Sequence, residues 1–506
     1  IYIDKSELIS FTNKKINTQQ AYLCVSRPRR FGKSMAADML SAYYGNNEHT
    51  KDLFKNLKIS SNPSFEKHIN QYHVIKVDMQ FFMTSTSSIQ EMVHKLKNDL
   101  ITEMLFYFPT ISYLNKKEIE QVMNGIFEAT NQKFVILIDE WDCVMRRNYS
   151  TDEKKFYLDF LRNWMKDRPY LALAYMTGIL PIKKYGEHST LNMFDEYSML
   201  RSYSIAPYFG FTQEEVQSLC TKYQMDFNEA KSWYDGYHFL TKNSTYSIYS
   251  PKSVVDAMLN EWYDSYWTQT ETYDALREYI QMNYEGLKDS IIEMLAGNSV
   301  AINTRHFQND MTIFNGKDDI LTLLVHLGYL TYNVIDQTVS IPNKEVSREF
   351  VASIETVNDY SEVFSSIQES KHLLQSLWNL DSIAVAQGVE KAHQQLPSLK
   401  YNNEHSLSCT IELAFYYARE YYTVIHELPT GKGFADICYL PKPGHLDKPA
   451  VLIELKWNKD VDTAIKQIKR KDYPDALKAY KGNLLLCGIN YDNEKRHTCK
   501  IEQASL

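Results

Sequence analysis

The chain has 506 residues, a net charge of −8, 44% hydrophobic and 23% charged residues. At about 150 residues per domain this length implies three domains or two large ones, and the balance is that of a globular chain, not a disordered one. The acidic total does not advertise nucleic-acid binding, no run of about 18 apolar residues offers a transmembrane helix, and Ile1-Tyr2-Ile3-Asp4-Lys5 lacks the basic-then-apolar pattern of a signal peptide. Seven scattered cysteines without a close pair point to a reducing cytosol and away from a zinc site. The expectation is a cytoplasmic protein with no membrane partner.

Ala21-Tyr22-Leu23-Cys24-Val25 reads as a short buried strand, and Ser34-Met35-Ala36-Ala37-Asp38-Met39-Leu40 as a helix start with apolar residues at helical spacing. Between them stands Arg27-Pro28-Arg29-Arg30-Phe31-Gly32-Lys33-Ser34. Gly32-Lys33-Ser34 is the phosphate-gripping end of a P-loop, while Arg27 stands where the general motif has Gly. In such a loop, backbone N–H groups and a helix N-terminus face the phosphates. Lys33 would reach the β and γ phosphates and the Ser34 hydroxyl would bind Mg²⁺. The competing reading of this stretch alone is a basic turn between a strand and a helix.

His73-Val74-Ile75-Lys76-Val77 supplies a further strand. Phe134-Val135-Ile136-Leu137-Ile138 is a continuous apolar run, as a buried parallel strand requires, and it ends in Asp139-Glu140. A P-loop NTPase delivers an Asp to the Mg²⁺ shell from such a strand, and the adjacent Glu140 can polarise the attacking water. The two motifs in this order decide for the P-loop. Leu171-Ala172-Leu173-Ala174-Tyr175-Met176 then ends at Thr177-Gly178, where the hydroxyl either senses the γ phosphate or satisfies a turn. Tyr203-Ser204-Ile205-Ala206-Pro207 reads as a last strand. Arg146, Arg147 and Arg201 are arginine-finger candidates by position only, and a finger acting in trans would require a homo-oligomer.

Thr212 with Glu215 forms a capping box opening a helix at Gln213, and the pattern stays mainly helical to about Leu380. Trp233-Tyr234-Asp235-Gly236-Tyr237-His238-Phe239 reads as a packed corner ahead of a contact with the nucleotide base. Ser250-Pro251 starts another helix. The apolar helix Ile320 to Leu327 is C-capped by Gly328, and two short strands follow, Tyr329–Tyr332 and Thr338–Ile341. This is a winged-helix-like ending with little positive charge, so a lid or spacer is expected.

Phe434-Ala435-Asp436-Ile437-Cys438-Tyr439-Leu440 is a strand, Pro441-Lys442-Pro443-Gly444 a turn, and Ala450-Val451-Leu452-Ile453-Glu454-Leu455-Lys456 the next strand. Side chains alternate faces along a strand, so Glu454 and Lys456 share one, and Asp436 reaches it if the strands pair. Two carboxylates and a Lys make a hard-cation site for phosphodiester hydrolysis, with the acids on Mg²⁺ and the Lys beside the water. The alternative is a surface hairpin carrying a Glu454–Lys456 salt bridge. Gln467 and Tyr473 follow on a helix near Lys466, Lys469, Arg470 and Lys471, a basic cluster for which a solvated helix face is the better reading.

These motifs together resemble bacterial AAA-ATPase-like proteins that carry a C-terminal PD-(D/E)XK nuclease-superfamily domain. The resemblance covers nearly the whole chain and rests on Tyr2-Ile3-Asp4-Lys5, the Arg27–Ser34 loop, Leu137-Ile138-Asp139-Glu140, Thr177-Gly178, Gly210-Phe211-Thr212, Trp233–Tyr237, Asn403-Glu404, Gly433-Phe434-Ala435-Asp436, Ile453-Glu454-Leu455-Lys456 and Gln467. Ala435 departs from the Pro of the superfamily's name. The resemblance implies an α/β chain: a P-loop AAA-like ATPase domain (1–212) with a parallel sheet and flanking helices, a helical region with the winged-helix-like end (213–385), and a restriction-endonuclease-like core (386–506). It implies that Glu404 completes the metal shell of Asp436 and Glu454, with Lys456 catalytic. It also makes Arg27, Arg29 and Arg30 part of a family-specific loop that surrounds the phosphates with positive charge. The expected cofactors are ATP and Mg²⁺, with Mn²⁺ as a substitute, and the expected partner is nucleic acid, DNA ahead of RNA. The leading functional expectation is an ATP-driven, metal-dependent nuclease. The alternatives are a nucleotide-dependent switch that binds nucleic acid or protein without cutting, and an ATPase with a C-terminal scaffold.

Overall fold

A computed structural model of the chain describes residues 1–182, 190–242, 244–267, 272–282, 284–307, 314–395, 404–430, 433–470, 477, 480, 482–492 and 496–504. The chain divides into two compact units, Ile1–Thr272 with Ala301–Arg348, and Tyr273–Val300 with Glu349–Leu506.

The first unit is built on five parallel strands, β1 (Tyr22–Ser26), β2 (His73–Asp78), β3 (Phe134–Asp139), β4 (Leu171–Gly178) and β5 (Asp195–Tyr197), in the order β2-β3-β4-β1-β5. Every residue of β3 and β4 is buried, which is why both read as unbroken apolar runs. The helix Lys33–Tyr44 lays Ala36, Ala37, Leu40, Tyr43 and Tyr44 against Leu23, Val25, Val135 and Leu137 of the sheet. Strand β4 lies between β1 and β3. Its pairing of Gly178 with Ser26 and of Met176 with Ile138 brings the carboxyl ends of all three strands out at one edge. Ligands of open parallel sheets bind at that edge.

Two expectations are corrected in this unit. Tyr203–Tyr208 is a short 3₁₀ helix, and the last strand is Asp195–Tyr197 instead. Tyr203 sits at φ +47° and Pro207 has no N–H to give a neighbouring strand, so the segment cannot extend the ladder. The region after residue 210 is also less helical than its pattern. Strands β6 (Phe211–Thr212), β7 (Tyr237–Leu240) and β8 (Thr245–Tyr249) form an antiparallel sheet in the order β6-β8-β7. The aromatic corner is packed, as expected. Gly236, at φ +119°, lies where a Cβ would stand 2.1 Å from the Pro342 carbonyl oxygen, and the Tyr237 hydroxyl donates to Gly328 O at 2.6 Å. The capping box of helix Gln213–Tyr223, the Ser250-Pro251 start of Pro251–Asn260, and Gly328 at φ +88° closing Lys317–Leu327 are all present. The hairpin β9 (Thr331–Asn333) and β10 (Thr338–Ser340) follows.

The second unit carries a mixed sheet of β11 (Tyr422–Thr430), β12 (Gly433–Pro441), β13 (Ala450–Trp457), β14 (Leu484–Tyr491) and β15 (His497–Gln503), paired in chain order. All neighbours are antiparallel except β13 and β14, which are parallel and joined through the helix Val461–Arg470. One face, including Ile437, Val451, Ile453, Leu455 and Ile489, packs on Leu374 and Leu377 of Ser361–Trp378, Val385 and Val389 of Ser382–Gln395, and Leu407 and Ile411 of Glu404–Ala414. The other face, including Cys438, Leu452 and Leu486, meets Ile465 and Ile468 of Val461–Arg470. Among the described residues no helix is long and apolar enough to cross a membrane.

Candidate functional site

The loop after β1 reverses through two left-handed residues, Arg30 at φ +70° and Gly32 at φ +86°, and the helix begins at Lys33. A Cβ on Gly32 would meet nothing within 4 Å, so the backbone sign alone selects glycine there. Lys33 is buried, and its Nζ donates to Arg27 O at 3.1 Å and Pro28 O at 2.9 Å. Burial pulls its ammonium below the ordinary lysine range, and the carboxylates of Glu140, Asp142 and Asp139 oppose that. Ser34 is exposed in the first turn.

At the end of β3, the buried Asp139 accepts from the Thr177 hydroxyl and, at 3.0 Å, from the Glu140 N–H. Thr177 is wholly buried and its hydroxyl orients that carboxylate. Glu140 sits in the left-handed region at φ +53°, where a non-glycine residue is under strain, and its carboxylate accepts from Arg146. Asp142, fully buried, accepts from the backbone N–H groups of Ile179 at 3.0 Å and Leu180 at 2.8 Å, with the Arg146 Nε 3.6 Å away. Asp142 thus ties the β3 end to the β4 end. The acidic run Asp139-Glu140-Trp141-Asp142 was the only sequence signal for it.

A cavity of about 610 Å³ opens over the loop. Arg29, Arg30, Gly32, Lys33, Ser34 and Glu140 line it, and Tyr2, Met39, Tyr208, Phe211 and Val255 give it an apolar wall. Tyr208 and Val255 had no local signal, because only the fold carries them to the loop. Arg27 is the correction. Its guanidinium turns away from the cavity and is completely buried, donating to Ser26 O at 2.8 Å, Tyr197 O at 3.1 Å and Ser202 Oγ at 2.7 Å. It lies 5.5 Å and 5.3 Å from the ring centres of Phe209 and Phe239. Burial brings it down to about 9, which leaves it cationic at neutral pH. A buried ion is costly unless it is paired or hydrogen-bonded; these acceptors, from β1, β5 and the segment behind them, satisfy the two terminal nitrogens, while the Nε–H has no partner among the described residues. Of the finger candidates, Arg146 is engaged with Glu140, Arg147 is exposed, and Arg201 lines a separate cavity.

In the second unit, β11 passes from the His426–Ile437 rung to the Leu428–Ala435 rung, with Glu427 at φ +49° between them. Asp436 lies in that irregularity, and its carboxylate accepts from the Leu455 N–H at 2.6 Å. It is thereby held against the backbone between Glu454 and Lys456. Glu454 is 1% exposed, and its Oε1 accepts from the Lys456 Nζ at 2.7 Å. This pair shares one face of the strand, as alternation requires. Gly488 stands beside Glu454 in register on β14. A Cβ there would lie 2.9 Å from Ala464 Cβ and 3.2 Å from Val461 O, so glycine lets the helix Val461–Arg470 close over this face. The Glu404 side chain falls outside the described residues, as do Asn403, Tyr473, Lys471 and the side chain of Arg470. Lys466 and Lys469 are exposed, and Lys469 pairs with Glu502 at 2.5 Å. Among the described residues no three His, Cys, Asp or Glu side chains are grouped as a metal shell. The donor chemistry of Asp436 and Glu454, oxygen ligands beside a lysine, still fits a hard divalent ion.

Residues 1–186 match the family described as predicted AAA-ATPase, and residues 402–501 match the PD-(D/E)XK nuclease superfamily. A relative named as an uncharacterized protein in the vnfD 5' region of Azotobacter chroococcum mcd 1 is 25% identical over 279 residues, which is 54% of this chain. The match covers 51% of that relative, so the chain spans about half its length. Similar solved structures include a Walker-type ATPase of Pyrococcus abyssi (TM-score 0.35, 13% identity, 68% of this chain and 94% of that one). The ORC1 protein of Aeropyrum pernix in complex with DNA is also similar (TM-score 0.24, 10% identity, 70% of this chain and 93% of that one). The chain therefore joins a segment of the predicted AAA-ATPase family to a C-terminal segment of the PD-(D/E)XK nuclease superfamily.

Proposed function

We propose that the first unit binds and hydrolyses ATP and that this controls metal-dependent cleavage of a nucleic-acid phosphodiester by the second. The observation that carries the reading is the cavity where Lys33, Ser34 and Glu140 meet at the helix N-terminus, beside the Asp139 end of the next-but-one strand. Phosphates placed there would replace the Arg27 and Pro28 carbonyls as partners of the Lys33 ammonium. Ser34 and Asp139 would hold Mg²⁺, and Glu140, once released from Arg146, would orient water. The apolar wall of Tyr208, Phe211 and Val255 suits a base. Arg29 and Arg30 flank the phosphates in this reading, while Arg27 acts only as scaffold.

In the second unit, Asp436 and Glu454 would hold the divalent ion, with Glu404 as third ligand. When bound, the ion would neutralise phosphate charge and make water nucleophilic. Lys456, 2.7 Å from Glu454, would steady that water or the leaving oxygen. The test is cleavage of single- and double-stranded DNA and of RNA with Mg²⁺ or Mn²⁺, with and without ATP. Wild type is expected to cut and Glu454→Ala not to. Equal cleavage by both would sink the assignment.

A second reading, a nucleotide-dependent switch that binds nucleic acid or protein without cutting, is favoured by one observation. Glu454 is already engaged by Lys456. Tight nucleic-acid binding without uptake of divalent metal would decide for it.

A further inference from the structure

A second cavity, of about 690 Å³, lies in the first unit and shares no lining residue with the first. Arg201, Arg305, His306, Phe307, His326 and Tyr332 are among the groups around it. His326, on the helix Lys317–Leu327, is completely buried, and neither of its ring nitrogens has a hydrogen-bond partner among the described residues. Its ring stacks on Phe307, with centres 5.7 Å apart and planes at 21°. Buried polar groups are nearly always paired. An imidazole with two unpartnered nitrogens on a cavity wall is therefore built to meet something that enters the cavity. Burial, with the charge of Arg27 nearby, lowers His326 to about 3, so the ring is neutral and presents one N–H donor and one acceptor.

Arg201 and Arg305 are exposed at the same cavity. Their planar forks match the oxygens of a phosphate group. Glu196 is the one carboxylate among the described lining residues, and its Oε1 already accepts from the Ile182 N–H at 2.8 Å. The wall is continuous with the nucleotide loop. Ser198 and Arg201 lie between Tyr197 and Ser202, two of the three residues that accept from the Arg27 guanidinium, and the Arg27 carbonyl accepts from Lys33.

We propose that this cavity is a second anion site, taking the phosphate or pyrophosphate group of a small phosphorylated ligand with Arg201 and Arg305 on its oxygens and His326 beneath. The site is separate from the Lys33 loop, so it holds its ligand when that loop is disabled.

The test uses the full chain carrying Lys33→Ala, kept free of divalent metal, with inorganic pyrophosphate as the probe in calorimetry and ³¹P line broadening. The expected result is saturable binding that weakens at least tenfold when Arg201→Gln and Arg305→Gln are added. Both arginines are exposed, so their loss leaves the fold intact. His326→Phe, which keeps the net charge but removes the ring nitrogens, is expected to weaken binding severalfold. No binding to the Lys33→Ala chain at millimolar pyrophosphate would overturn the proposal, and so would binding that the two arginine substitutions leave unchanged.

Discussion

Arg27→Met separates a scaffold arginine from a phosphate-binding one. The guanidinium makes three hydrogen bonds, to Ser26 O, Tyr197 O and Ser202 Oγ, from a fully buried position. Bonds from a charged donor contribute roughly 1.5–3 kcal/mol each. Relieving the desolvation of a buried ion returns several kcal/mol, and Met fills most of the slot. The net loss is about 3 kcal/mol, because the orphaned acceptors stay buried. Arg27→Lys keeps the charge, but one ammonium cannot span all three acceptors, so roughly half that loss is expected. Urea titration read by hydrogen exchange in peptides of β1, β4 and β5 reports the stability of this unit, and a fluorescent ATP analogue reports affinity. The midpoint should fall while affinity stays within about threefold. Affinity reduced tenfold or more at an unchanged midpoint would refute the scaffold role.

Lys33→Ala should abolish binding of the same ATP analogue without changing the circular dichroism spectrum; retained binding would end the P-loop assignment. Gly488→Val should destabilise the second unit by about 1–3 kcal/mol, the usual effect of overpacking, because its side chain would run into Ala464 and the Val461 carbonyl. Exchange protection of β13 and β14 measures this, and unchanged protection would argue against close approach of the helix. Acid should weaken the second unit through His497. Its imidazole faces His393 Nδ1 at 2.9 Å and Tyr491, with Glu390 and Asp492 nearby, and burial lowers it from 6.5 to about 4. The folded state therefore resists a proton that the unfolded chain accepts. Stability is full above pH 6.5 and is lost as pH falls toward 4, by on the order of 3 kcal/mol. His497→Asn should flatten that part of the pH–stability curve, and an equally steep curve in the variant would place the effect elsewhere.

The strands of the first sheet were legible because burial on both faces demands unbroken apolar runs, and Phe134–Ile138 and Leu171–Met176 supply them. Gly32-Lys33-Ser34 was legible because the loop's chemistry is local: one left-handed glycine, then the residues that open the helix. The Glu454–Lys456 pairing followed from strand alternation alone. Tyr203–Pro207 was misread because its composition suits a strand, while the sign of one φ and a missing N–H forbid it. The β6-β8-β7 sheet was missed because its aromatic stretches suit a helix corner equally well and are separated in the chain.

By itself, then, the sequence determined the fully buried strands of the first sheet, where the phosphate loop turns, and which residue types stand ready for two kinds of phosphate chemistry. Tertiary structure alone decided where those side chains point. Arg27 reads as one more charge beside a nucleotide until Tyr197 and Ser202, some 170 residues later, draw it inward. Glu140 reads as a free base until Arg146 takes it. Asp436 reaches the Glu454 strand only because the two strands pair, with Ile437 opposite Ile453. Periodicity and turn chemistry are set by neighbours in the chain. The direction of a long polar side chain is set by whichever distant acceptors compensate its removal from water, and those are assembled only by the fold.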